Sequence, residues 1–203
     1  MNIKITSILV LASLFLIYCT TTKIDSQVMA PNFDQKVTNL FYVINLQDKM
    51  EKTVPTLVDK SKSIYTENGF PFNHEEYTFF SERGTFTLEN MVISAKEKNF
   101  DFFLILLETD HDRETYFSGP TVGANGMFVG GSTSKTIKHG LEAYLYTVSD
   151  TTEIWRAKIE VTSGDYGNST QTGNSLAKGV IERLLSDGLL PSGFTIPSEW
   201  DEY

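Results

Sequence analysis

The chain has 203 residues, 40% hydrophobic and 21% charged, with 17 Lys+Arg against 26 Asp+Glu and a formal net charge of −9. A chain of that size suits one domain and can bury roughly 70% of its unfolded surface, so stability needs neither disulfides nor a structural metal. The acidic balance argues against nucleic acid as a partner and against electrostatic adhesion to anionic headgroups.

At the start, Met1-Asn2-Ile3-Lys4 forms a short positive segment, and Ile5 to Tyr18 is apolar and uncharged. At ~1.5 Å per residue, a helix of about 14 residues is short for a ~30 Å hydrocarbon core, which suits a signal sequence. At its end stands Cys19, the only cysteine. Leu16-Ile17-Tyr18-Cys19 resembles a bacterial lipobox, although Tyr18 stands where that pattern favours a small residue. The resemblance implies cleavage after residue 18 and acyl chains on Cys19, with each buried CH₂ contributing ~0.8 kcal/mol to membrane anchoring. An uncleaved signal anchor and ordinary secretion are the other readings. Loss of residues 1–18 removes Lys4 and leaves a mature net charge of −10. No cysteine remains for a disulfide.

Residues 19–36, polar and containing Pro31, read as a lipidated tether. The globular domain is expected over residues 37–193. Val37 to Leu46, rich in aromatic and β-branched residues, reads as a buried strand. A helix follows: Asp48 and Glu51 have capping-box spacing, and Met50, Val54, Leu57, Val58, Ile64 and Tyr65 recur at helical intervals. Pro55 is tolerated only in a first turn, which moves the regular start to near Thr53. Gly69 can close this helix.

Tyr77-Thr78-Phe79-Phe80 reads as a second strand, and Leu88, Met91, Val92 and Ala95 mark one face of a second helix. The continuous apolar run Phe102 to Leu107 has the look of a central strand covered on both faces. Tyr144 to Val148 and Ile154 to Thr162, joined by a turn around Ser149 to Thr152, form an antiparallel hairpin. In its second strand Trp155, Ala157, Ile159 and Val161 alternate with polar residues. A final helix carries Leu176, Val180, Ile181, Leu184 and Leu185 and stops at Gly188 and Pro191. Residues 194–203 read as a tail.

The expected fold is thus α/β (α+β): one mixed sheet of about five strands with about three helices, in the order β-α-β-α-β-β-β, then α. A projecting hairpin is added by Asn125-Gly126, a type I′ turn signal flanked by Val122 and by Met127-Phe128-Val129. Its apolar residues either fold onto the core or form an arm that docks a partner, with Met127, Phe128 and Val129 as the docking residues.

Phe100-Asp101-Phe102-Phe103, the hairpin bearing Ile154-Trp155-Arg156, and a helix ending Ser186-Asp187-Gly188-Leu189 together resemble small bacterial envelope lipoproteins. The resemblance implies an address in the cell envelope. With no retention signal at Thr20, it implies the outer membrane.

The motifs that suggest catalysis have plainer readings. Asp110, His111 and Asp112 could ligate zinc or orient a base, which would make a metal-assisted hydrolase. Consecutive residues on an extended chain point to opposite faces, however, and a solvated strand end accounts for them. His74, with Glu75 and Glu76, would lie at the far edge of the sheet from His111. Ser132-Thr133-Ser134-Lys135 has Ser-x-x-Lys spacing, but Lys138-His139-Gly140 follows too closely for the enzymes that use it. Gly131 stands where a phosphate loop needs lysine. Asn168-Ser169-Thr170 matches a glycosylation acceptor, which a bacterial lipoprotein does not ordinarily use. No cofactor motif is present. The sequence therefore points to a non-catalytic, membrane-anchored protein that binds or scaffolds an envelope partner.

Overall fold

The computed structural model describes residues 20–77, 86–117, 121–122, 128–129, 133–164 and 168–197, with side chains placed outside 48–49, 110–136 and 164. Cys19 and Met127 lie outside the described residues. The fold is α+β: a single mixed six-stranded sheet in the order β1-β8-β7-β4-β2-β3, with a separate two-stranded ribbon. The strands are β1 (Thr21–Val28), β2 (Leu40–Asn45), β3 (Phe72–Glu76), β4 (Phe102–Phe117), β5 (Thr121–Val122), β6 (Phe128–Val129), β7 (Thr133–Thr147) and β8 (Glu153–Gly164). The helices are α1 (Asp48–Glu51), α2 (Val54–Glu67), α3 (Leu88–Glu97) and α4 (Ser169–Ser186).

β2 is flanked by β3 and β4, both parallel to it, and the remaining pairings are antiparallel. The two crossovers pack on opposite faces. Leu57 and Ile64 of α2 join Tyr42, Leu104 and α4 on one face, and Met91, Val92 and Ala95 of α3 join Phe41 and Phe103 on the other. That double covering explains the unbroken apolar run of β4.

Several expectations are corrected. The stretch read as a tether contains β1, which pairs with β8 along its whole length, from Thr21 opposite Thr162 to Val28 opposite Trp155. Its inward positions are Thr22, Ile24 and Ser26, so only one aliphatic side chain betrays the period. The strand that follows α2 is Phe72–Glu76, upstream of the expected Tyr77 to Phe80. Tyr77 still donates its N–H to the Ile44 carbonyl at 2.8 Å, and residues 78–80 lie outside the described residues. A polar outer strand is what an unpaired sheet edge calls for, and it hides the strand from an apolar search. The supposed tail begins with Phe194, only 4% exposed, whose ring stacks on Phe70 at 5.7 Å and meets Tyr65 edge-on at 5.4 Å. The capping position of α1 is Gln47, one residue before the proposed Asp48, and it makes no side-chain cap.

Other boundaries follow the local chemistry. α2 starts at Val54 with Pro55 in its first turn, where the missing N–H is harmless. α3 is capped by the Thr87 side chain and α4 by that of Asn168, each accepting a backbone N–H three residues on. Gly69 and Gly188, with φ +77° and +74°, end α2 and α4 in the left-handed region open to glycine.

α2 and α4 pack closely at Gly173. A Cβ there would sit 2.8 Å from the Thr53 carbonyl oxygen and 2.8 Å from the Thr56 Cβ. Backbone cannot yield as a side-chain tip can, so Gly173→Ala is expected to destabilise by about 1–3 kcal/mol. Urea unfolding followed by circular dichroism checks this, and a midpoint unchanged or raised would contradict the close approach.

Candidate functional site

The carboxyl ends of β2, β3 and β4, the starts of β1 and β7 and the end of β8 all lie at one end of the sheet. Because the chain leaves β2 over one face and β3 over the other, their carboxyl ends mark the switch point at which open α/β sheets bind ligands. Asn45 stands there with a buried Oδ1 that has no hydrogen-bond partner among the described residues. Nearby are Glu76, 3.4 Å from His74 Nε2, and Tyr77, whose hydroxyl is pushed above its usual pKa by burial and then by the Glu75 charge.

One strand further in, Glu108 and His139 form a buried pair. Glu108 Oε1 lies 2.9 Å from His139 Nδ1, and its Oε2 accepts the Gln47 N–H at 2.8 Å. The side chains are 9% and 5% exposed. Glu108 continues the inward series Phe102, Leu104, Leu106, and His139 begins the inward series Leu141, Ala143, Leu145. A β-bulge sits beside them: Glu108 faces Leu141 and Asp110 faces Gly140, leaving Thr109 as the extra residue. A carboxylate holding an imidazole could orient a base at an open site. Here the pair is enclosed, and it ties the entry to α1 to β4 and β7. Sequence reading passed over Glu108 and met His139 only within Lys138-His139-Gly140, although their period-two positions were visible.

The acid–imidazole trio of the sequence falls on the outer part of β4, where Asp110, His111 and Asp112 stand opposite Gly140, His139 and Lys138. Their side chains lie outside the described residues. His74 is opposite Tyr42, itself opposite Leu104, and with the bulge at Thr109 allowed for, His74 and His111 differ by six positions along the sheet, about 20 Å. The described residues contain no group of three His, Cys, Asp or Glu side chains able to hold a metal ion. Phe128 and Val129 lie in β6, paired with Val122 and Thr121 of β5.

The outer face of β7 and β8 presents a different surface. Tyr146 stacks on Phe103 at 5.3 Å, and the Arg156 guanidinium lies 5.3 Å from the Tyr144 ring centroid. Arg156 grips Glu153 through two hydrogen bonds of 2.8 and 3.0 Å, and Tyr146 donates to Glu153 at 3.2 Å. Tyr144 donates to Glu142. That bond, then burial and the Glu142 charge, push the Tyr144 hydroxyl up to about 12, against the lowering effect of Arg156. Both tyrosines are half-buried and Arg156 is exposed, as are Lys158 and Glu160 further along β8.

Fold and site together define an α+β protein with one mixed sheet, a switch point at its carboxyl end and an aromatic–arginine surface on its outer face. No family model matches the chain, and no curated protein matches it. Among solved structures it is similar to the PelC dodecamer from Paraburkholderia phytofirmans, at 11% identity over 85% of this chain and 100% of that one, TM-score 0.46. It is also similar to lipoprotein GNA1162 from Neisseria meningitidis, at 12% identity over 73% of this chain and 99% of that one, TM-score 0.38.

Proposed function

We propose that the chain is a lipid-anchored protein of the bacterial envelope, held through Cys19 in the outer membrane, that binds a partner protein without catalysing a reaction. The observation that carries the binding role is the outer face of β7–β8. Tyr and Arg are enriched at the energetic centres of interfaces, and here Tyr144, Tyr146 and Arg156 stand half-buried or exposed in one pre-ordered group. The Glu153 clamp fixes the guanidinium, so little rotamer freedom is lost on binding. The lipobox-like segment supports the anchor. No helix among the described residues is long and apolar enough to cross a membrane.

The test is crosslinking in intact cells followed by purification of the chain. Tyr144→Ala combined with Arg156→Ala is expected to reduce the recovered partner about tenfold or more, while the circular dichroism spectrum stays native. Equal recovery from the variant and the parent would remove this face from the interface. Recovery of no specific partner from the parent would overturn the binding role.

A further inference from the structure

β1 begins at Thr21, two residues after Cys19 in the sequence. Thr21 is opposite Thr162, Thr162 is opposite Lys138, and Lys138 is opposite Asp112. The start of β1 therefore lies two positions short of the end of β8, where Gly164 faces Thr136.

β4 and β7 do not stop there. Their pairing runs on to Phe117 opposite Thr133, three positions beyond the end of β8, or about 10 Å. β5 starts four residues after Phe117 and pairs with β6. β4 and β7 therefore continue as a two-stranded arm beyond the end of β8, at the end of the sheet where β1 starts.

Charge stops at the same level. The last charged residues before the arm are Glu114, opposite Thr136, and Lys135, opposite Thr115. Residues 115–134 contain no Asp, Glu, Lys, Arg or His, in a chain that is 21% charged. The described strands of the arm carry Tyr116, Phe117, Val122, Phe128 and Val129. An acidic body is repelled by anionic headgroups, and a charge entering the interface must shed its water, so an uncharged stretch with aromatic and aliphatic residues in its strands is the part of this protein fit to enter it.

We infer that the β4–β7 arm rests in the headgroup layer of the bilayer to which acylated Cys19 is attached, giving the domain a second membrane contact and a fixed orientation. This rests on the lipid-anchor reading above. It assigns the arm to lipid, which leaves the outer face of β7–β8 for the protein partner.

Once Cys19 is acylated, an introduced cysteine is the only free thiol, so a fluorophore can be placed at one position. The full acylated chain, with Phe128→Cys or Val129→Cys, is labelled with an environment-sensitive dye. It is then reconstituted in phosphatidylethanolamine–phosphatidylglycerol vesicles bearing nitroxide lipid. The two positions are neighbours on one strand and so sample both of its faces. Ser149→Cys, in the turn at the opposite end, is the reference. The expected result is loss of at least about half the emission from one or both arm labels, the depth of an interfacial segment being ~5–10 Å, with little loss at 149. Arm labels quenched no more than the reference, in protein whose amino-terminal peptide has the mass of a lipid-modified cysteine, would overturn the arm contact, leave the anchor standing and turn attention to a protein partner for the arm. A peptide with unmodified Cys19 would overturn the anchor and the arm contact together.

Discussion

Trp155→Ala is expected to destabilise the chain by about 3–5 kcal/mol, the largest effect of any single truncation in the core. The ring is fully buried between β8 and α4 and is the largest of the completely enclosed side chains. Its Nε1 donates to Asp187 Oδ2 at 2.7 Å, and the same oxygen accepts from Ser26 at 2.5 Å and pairs with Arg183 at 3.3 Å. Truncation therefore opens a cavity and removes one donor from a carboxylate that joins β1, β8 and the end of α4. Trp155→Phe separates the two effects: most of the ring volume stays, and the loss expected for the hydrogen bond to a charged group is about 1.5–3 kcal/mol. Urea unfolding followed by far-ultraviolet circular dichroism reads both, since Trp fluorescence changes with the substitution itself. A loss for Trp155→Ala no greater than that for Trp155→Phe would mean the packing contribution is negligible.

The second large effect is expected at the buried pair. Removing one partner of an enclosed hydrogen-bonded acid–imidazole pair typically costs about 1–3 kcal/mol, because a buried polar atom of the other loses the bond it made. His139→Ala leaves Glu108 with the Gln47 N–H as its remaining partner of known geometry, and Glu108→Ala leaves both the imidazole and that N–H without the carboxylate. The double variant Glu108→Leu with His139→Leu is expected to recover much of the loss, since apolar groups of similar volume need no partners. A cycle of the parent, Glu108→Leu, His139→Leu and the double leucine variant measures the coupling directly. Additive losses, with no recovery in the double variant, would show that the two side chains act independently.

Much of this architecture was readable from local pattern. The unbroken run from Phe102 to Leu107 marked a strand covered on both sides, and the alternation from Trp155 to Val161 marked one with a single wet face. Leu176, Val180, Ile181 and Leu184 marked α4. Pro55 placed the start of α2 because only a first turn tolerates it. The edges were harder. β1 and β3 take their place through backbone pairing, and their side chains are chosen for water, so Thr21–Val28 passed for a tether and Phe72–Glu76 went without an assignment of its own. Phe194 was misread for a related reason: a lone aromatic has no period, yet it fills a space between Tyr65 and Phe70.

The site was less legible than the fold. Asp110, His111 and Asp112 attracted notice because they are adjacent, and adjacency on a strand separates side chains. Glu108 and His139 meet across two strands, 31 residues apart, through a register that a bulge adjusts. Tyr144 and Arg156 likewise meet only when β7 and β8 pair. Such pairs are products of register, and no local window contains them.

The pairing of β1 with β8 also imposes an order on assembly. The first strand to emerge from the ribosome has no partner until Thr162 and its neighbours have been made, and its inner face meets α4, which comes later still, through Thr22 and Ser175 at 2.7 Å. In an exported chain the leading segment therefore waits, extended and unpaired, while nearly everything behind it crosses.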